Sequence, residues 1–142
     1  MTIAASKAQL PMGSLLHHLA RRFETETSAA LCDIDLPLRE FSTLIRLAVE
    51  PGQSQKDCAA QLGFDVSTFG RMVDRMAAHG LIERRDMPGD RRSKALFLRP
   101  KGETRLQQGQ TLVLEVENQI LAAISNTQRA ALRLCLERTL GS

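Results

Sequence analysis

Apolar side chains recur at helical spacing over the first part of the chain. From Leu16 to Ile34 they follow one another at intervals of three and four residues, which predicts a long amphipathic helix. The step Asp35-Leu36-Pro37 breaks this pattern, and its proline fits the first turn of a second helix that ends at Pro51-Gly52. Residues 1–10 lack the periodicity, so we expect a flexible N-terminal arm there.

Two short helices joined by a tight turn are predicted next. Ser54 and Asp65 are residue types that cap helix N-termini, and Gly63 between them suits a sharp turn. The first helix ends near Leu62, and the second covers about residues 65–78. This arrangement is typical of a helix-turn-helix, whose second helix enters the major groove of DNA.

The rest of the chain predicts a β-hairpin and two further helices. Residues 81–98 form the hairpin, with the turn at Met87-Pro88-Gly89-Asp90. A long helix follows to about Ile124, and a last helix starts near Ser125. The predicted fold class is therefore mainly α: a winged helix-turn-helix of four helices, a hairpin and two helices.

Composition and cysteine spacing narrow the class of protein. The 142 residues, 43% of them hydrophobic, are typical of one folded domain. Cys32, Cys58 and Cys135 lie far apart, without the spacing of a disulfide framework or a metal site. No apolar run is long enough to cross a bilayer, and no secretion signal is present. We therefore expect a reduced, cytoplasmic protein without metal or cofactor.

Positive charge is concentrated in one stretch of the chain. Nineteen basic and 16 acidic residues give a net charge of +3, but residues 71–101 alone hold nine basic against four acidic residues. Such a stretch indicates a polyanion-binding face, although a solvated surface would show the same pattern. No nucleophile elbow, phosphate-binding loop or cluster of catalytic groups accompanies it, so an enzyme is not expected.

Residues from about Phe41 to Gly102 resemble the winged helix-turn-helix of MarR-type transcriptional regulators. The motifs that carry the resemblance are Gln55–Ala59, Asp65–Thr68, Arg71–Met76, Gly80–Arg85 and Asp90–Lys94. The resemblance implies a homodimer on a pseudo-palindromic duplex, with each recognition helix in the major groove and each wing in the neighbouring minor groove. It divides the chain into a dimerisation helix (11–36), a DNA-binding region (37–102) and C-terminal dimerisation helices (103–142).

The apolar stripes of the outer helices agree with a dimer. The stripe from Leu16 to Ile34, and Leu132, Leu136 and Leu140 in the last helix, need a partner surface. A symmetric dimer supplies one, and it places two identical DNA readers about 34–36 Å apart, one turn of the duplex.

The resemblance also implies roles for nine residues. Base readers would be Ser67, Thr68 and Arg71, and phosphate partners would be Gln55 and Arg75. Arg92 would enter the minor groove, with Arg91 and Lys94 nearby, while Asp90 would hold an arginine in position by a charge-assisted hydrogen bond. Arg99 stands where the family usually has threonine, so no role is transferred to it.

Members of this family often repress transcription and release DNA when a small aromatic acid binds between the dimerisation helices and the reading domain. The candidate residues for such a pocket are His17, His18, Arg21 and Phe41. Arginine pairs with a carboxylate, and histidine hydrogen-bonds a phenol. Alternatively, the two histidines lie at the dimer seam and Arg21 is solvated.

Two other functions remain as alternatives. A thiol-based redox regulator is disfavoured, because the acidic residues Asp33 and Asp35 follow Cys32 and no basic residue lies within two positions of it. Cys58, where the family prefers a larger aliphatic residue, is expected to be a small buried hydrophobe. The other alternative is a winged-helix protein–protein interaction module without DNA binding, which tends to lose the basic residues that this chain retains.

Overall fold

The structure, a computed structural model, describes residues 9–141 and confirms the predicted fold class. Within that range the chain forms six helices and one antiparallel hairpin: α1 (Met12–Cys32), α2 (Leu38–Val49), α3 (Gln55–Leu62), α4 (Val66–Ala78), β1 (Ile82–Met87), β2 (Asp90–Leu98), α5 (Pro100–Ile120) and α6 (Asn126–Leu140). Only residues 9 and 10 of the predicted N-terminal arm are included, and the rest lies outside the described residues. No helix in the described range is both long and apolar enough to cross a membrane.

The helix-turn-helix forms where the capping residues predict it. Ser54 Oγ accepts a hydrogen bond from the Asp57 amide (3.0 Å), and Asp65 Oδ1 accepts one from the Thr68 amide (2.9 Å). Between the two helices Gly63 adopts a left-handed φ of 71°, a conformation that is strained for residues with a side chain. These local interactions set the direction in which α4 leaves the turn.

One hydrophobic core holds α4 against the rest of the domain. The fully buried side chains come from α1, α2, α3, α4 and both strands, and they include Leu31, Leu44, Leu47, Cys58, Phe69, Val73, Met76, Ile82 and Leu96. The inward face of α4 is therefore used for packing, as its apolar spacing predicts. Its opposite face is left for contacts outside the domain.

Three element boundaries differ from the prediction. Pro37 is the N-cap of α2 instead of a residue in its first turn. Helix α5 ends at Ile120, because the next residues turn towards Ser125, whose hydroxyl accepts from the Gln128 amide in a complete capping box. Strand β2 already begins at Asp90, so the hairpin turn contains only two residues, Pro88 and Gly89.

Close backbone approaches fix the wing (residues 82–98) and α5 to the helix-turn-helix. Leu96 exchanges backbone hydrogen bonds with Gly52 (2.9 Å) and Gln53 (3.0 Å), which ties β2 to the segment before α3. A Cβ at Gly102 would lie 2.0 Å from the Leu81 carbonyl oxygen, so only glycine allows α5 to start this close to the wing. The predicted boundary between residues 102 and 103 thus falls inside a helix, and the division into functional regions stays a prediction.

Candidate nucleic-acid interface

The outward face of α4 presents short polar side chains near its N-terminus and arginine further along. Ser67 and Arg71 are exposed, while Thr68 is half-buried and its amide is bonded to Asp65. Hydrogen bonding from Thr68 lowers the pKa of Asp65 below its usual value, so the cap is a carboxylate at neutral pH. The base-reading roles predicted for Ser67, Thr68 and Arg71 fit this exposure but stay predictions.

Arg75 has a partner inside the protein. Its Nε donates to Glu40 Oε1 (2.8 Å), and a terminal nitrogen of the guanidinium also contacts that oxygen. The Glu40 side chain is only 6% exposed, against 56% for that of Arg75. A buried carboxylate needs such a partner, so Arg75 links the recognition helix to α2. The phosphate contact predicted for Arg75 competes with this ion pair.

Arg84, on β1, is a connecting residue that the sequence analysis missed. Its Nε donates to Gln55 Oε1 (2.9 Å), one terminal nitrogen donates to the Gly70 carbonyl (3.3 Å), and the other pairs with Asp74. One guanidinium thus joins the wing, α3 and α4. The predicted phosphate partner Gln55 holds Arg84 through its side-chain oxygen, an interaction between residues 29 apart that no sequence pattern reveals.

The wing tip (residues 87–93) carries arginines without internal partners. Arg91 and Arg92 are exposed, and in the described range neither side chain has an ion pair or hydrogen bond. Lys94, in contrast, pairs with Asp86 across the hairpin. Two cationic side chains at the tip of a hairpin are therefore available to a polyanion.

Asp90 holds Arg92 by a hydrogen bond to its backbone and not to its guanidinium. Its carboxylate contacts no arginine side chain in the described range; it accepts from the Arg92 backbone amide (2.9 Å) and from the Ser93 hydroxyl (2.8 Å). The Ser93 bond first, and the Arg92 amide second, lower the pKa of Asp90. Asp90 therefore fixes the backbone of the wing tip and leaves the Arg92 guanidinium unpaired, because a short side chain this close to the turn reaches backbone groups first.

The four candidate effector residues do not meet in one site. Phe41 is 4% exposed and belongs to the core, with its ring against Gly109 of α5. His17 and His18 are exposed on α1, with ring centroids 6.1 Å apart. Of the four, only Arg21 lines a large open cavity between α1 and the start of α2, of about 760 Å³. The sequence missed Arg39 on the wall of this cavity, because the fold brings it there from the next helix.

The cysteines do not form a metal or disulfide site in the described range. Cys58 is fully buried, as predicted, and this burial raises the pKa of its thiol to about 11. Cys32 and Cys135 are exposed free thiols. Among the described residues no group of three histidine, cysteine or acidic side chains is arranged to hold a metal ion.

A helix-turn-helix with an exposed polar and basic face, followed by a hairpin with unpaired arginines, defines a winged helix-turn-helix DNA-binding protein. The family model of the MarR family matches residues 36–94 of the chain. The segment that holds the helix-turn-helix and most of the wing is therefore similar to the MarR family.

Relatives and solved structures agree with this family. The HTH-type transcriptional repressor Mb2911 of Mycobacterium bovis is 26% identical over 132 residues, which cover 93% of this chain and 94% of that protein. The repressor CouR, solved on a 23-mer DNA duplex, is 26% identical over the whole of both chains, with a TM-score of 0.80. Wild-type MarR from E. coli shares the fold, with a TM-score of 0.82 at 22% identity over 92% of this chain and 98% of that chain.

A ligand complex is also among the similar structures. A MarR family protein of Mycobacterium tuberculosis in complex with p-aminosalicylic acid is 25% identical, with a TM-score of 0.78. The similarity covers 93% of this chain and 99% of that chain.

Proposed function

We propose that this protein is a cytoplasmic repressor that binds a pseudo-palindromic DNA operator as a homodimer. The observation that carries the proposal is a set of exposed arginines on α4 and at the wing tip whose side chains form no hydrogen bond or ion pair within residues 9–141: Arg71, Arg91 and Arg92. In this proposal Ser67, Thr68 and Arg71 face base edges in the major groove, and the wing tip enters the minor groove. The repressor relative and the CouR complex with DNA support the same function. These relatives are regulators, and we propose no enzymatic activity.

The dimer is proposed from apolar surface that the described chain leaves uncovered. Helix α6 has no buried residue, and its Leu134 and Leu140 are 53% and 81% exposed. Leu15 and Leu16 of α1 are exposed in the same way. A surface of this kind is costly in water, and a second copy would cover it symmetrically.

DNA release by an aromatic acid is proposed from the cavity between α1 and α2. Its volume of about 760 Å³ is in the range of small-molecule sites, and Arg21 and Arg39 on its wall are suited to a carboxylate. The p-aminosalicylic acid complex of the related mycobacterial protein supports this class of ligand. The proposed site keeps Arg21 from the predicted set and leaves out Phe41 and the two histidines.

The operator is tested by selection. Purified protein is used to select duplexes from a randomised library, and the affinity for the selected site is compared with that for a duplex carrying one half of it. We expect an inverted repeat and much weaker binding to the half-site, because the dimer then engages only one reader. Equal affinity for both duplexes would refute the dimeric operator. A folded protein that selects no sequence would favour the protein-interaction alternative.

The effector is tested on the same duplex with salicylate as the probe. Salicylate should weaken binding by the wild type and have a smaller effect on Arg21→Ala. The matched control is Arg22→Ala, because Arg22 is exposed, pairs with Glu26 and is absent from the cavity wall. Release that is equal in all three proteins would exclude Arg21 from the site.

A further inference from the structure

Val66 is a large apolar side chain on a surface that is otherwise polar and basic. It is the first residue of α4 and is 65% exposed. Every other exposed large apolar side chain of the described range lies outside residues 55–98, on or next to α1, α2, α5 and α6. Its neighbour Ser67 is exposed as well. The N-terminal residues of a recognition helix are those that approach base edges.

Gly70, one turn further along α4, is not required by the packing of the domain. Its φ is not in the left-handed region, and an added Cβ would meet only the Gln55 side-chain nitrogen, at the ordinary contact distance of 3.5 Å. Glycine destabilises a helix interior relative to alanine. At Gly102 and Gly109 a Cβ would instead lie 2.0 Å and 2.6 Å from the nearest atoms, so packing explains the glycine there. The domain itself thus gives no reason for glycine at position 70.

Residues four apart on a helix lie on the same face, about 5–6 Å from each other. Val66 and Gly70 therefore lie on one side of α4, where Val66 is an apolar wall and the helix backbone at Gly70 is the floor of a notch. The side chains of Gln55 and Arg84 border this notch from α3 and β1. We propose that this notch takes the C5-methyl group of a thymine in the major groove. The proposal rests on the proposed function and adds to it the base that this part of the helix selects.

The chemistry of the duplex fits this notch. Thymine is the base with a methyl group at the major-groove edge, and valine is an apolar surface of matching size. Ser67 and Arg71, also four apart, can then read hydrogen-bonding groups on neighbouring base pairs. The notch selects by shape and apolar contact, so it contributes to specificity without changing the number of phosphates that are neutralised.

Deoxyuridine provides the direct test, because it differs from thymidine only by the missing methyl group. Each thymine of the selected operator is replaced singly, and affinities are measured for wild type, Val66→Ala and the control Val49→Ala. Val49 is 73% exposed on α2, outside the reading helix. At one thymine we expect the replacement to lower the affinity of the wild type and the control about fourfold, which is the effect of one buried methyl-sized group. The affinity of Val66→Ala should not change at that position.

Two results would overturn the proposal. If no thymine replacement affects the wild type, or if Val66→Ala keeps the full methyl effect at every position, the notch does not hold a thymine methyl while the operator itself stands. If the wild type selects no duplex sequence, the proposed function fails and the notch fails with it.

Gly70→Ala tests the floor of the notch. The added methyl group should raise the urea midpoint, because alanine favours a helix interior over glycine. It should also weaken operator binding and reduce the difference between thymine and uracil duplexes. The control Gly13→Ala, where a Cβ meets nothing within 4 Å, should raise the midpoint without changing DNA binding. A Gly70→Ala protein that binds both duplexes like the wild type would refute the notch. A fall in its urea midpoint would show that packing requires the glycine, which removes the basis of the proposal.

Discussion

The ion pair between Arg75 and Glu40 allows a quantitative prediction, because one partner is buried and the other is not. Replacing Arg75 by alanine leaves the Glu40 carboxylate, 6% exposed, without the guanidinium that contacts it at 2.8 Å. Removing one member of a fully buried pair costs about 3–5 kcal/mol of stability. The Arg75 side chain is 56% exposed, and water screens it, so we expect about 2 kcal/mol.

A double-mutant cycle separates the pair from other effects. Glu40→Gln keeps the shape and an acceptor but removes the charge, and in that background Arg75→Ala should cost only about 1 kcal/mol. Arg22→Ala is the matched control, because Arg22 and Glu26 form an exposed pair on α1 whose loss should cost about 0.5 kcal/mol or less.

Urea unfolding followed by far-UV circular dichroism at one fixed protein concentration measures these changes. Tryptophan and tyrosine are absent from the sequence, so intrinsic fluorescence gives little signal. An Arg75→Ala protein as stable as Arg22→Ala, with no coupling to Glu40, would refute the structural role of the pair. The same variant decides the predicted phosphate contact: if Arg75 stays on Glu40, the salt dependence of DNA binding is unchanged, whereas each lost phosphate contact lowers the slope by about 0.9.

Three further predictions concern the wing tip, the core and the thiols. The pKa of Asp90 lies below the usual value of an aspartate, so its carboxylate orders the wing tip at neutral pH and this order is lost as the pH falls through the lowered pKa. Ser93→Ala should move the NMR-detected titration midpoint of Asp90 up towards the usual value, and an unchanged midpoint would contradict this. Gly109→Ala should lower the free energy of unfolding by about 1–3 kcal/mol in urea unfolding, because the new Cβ lies 2.6 Å from the buried Phe41 ring on α2. An unchanged free energy of unfolding would mean that the Phe41 ring moves to make room. At pH 7.5 iodoacetamide should modify the exposed Cys32 but not the buried Cys58, whose pKa is about 11. Equal rates of modification of the two thiols, measured by peptide mass spectrometry, would contradict the burial of Cys58.

The sequence predicted those parts of the fold that depend on near neighbours. The caps at Ser54, Asp65 and Ser125 act within three residues, so their spacing alone identifies three helix starts. The apolar spacing of α4 likewise predicts which of its faces is buried.

The candidate site was less predictable, because its side chains are held by residues far away in the chain. Arg75 is bonded to a carboxylate 35 residues away and Arg84 to an amide 29 residues away, and only the folded chain brings these groups together. The sequence predicts Phe41 in an effector pocket, because nothing in its local pattern separates a ring that lines a cavity from one that packs on Gly109. Exposure and pairing of charges, which decide what is available to DNA, are properties of the fold.

DNA binding through the wing tip is tested by the salt dependence of binding to the selected operator, for wild type and Arg92→Ala. Arg138→Ala, which removes an exposed charge on α6, is the control. We expect steep salt dependence for wild type and control. For Arg92→Ala we expect at least tenfold weaker binding, with a slope lower by up to about 1.8, or 0.9 for each wing of the dimer. Equal affinities and slopes for all three proteins, or no duplex binding at low salt by a folded dimer, would contradict DNA binding through the wing tip.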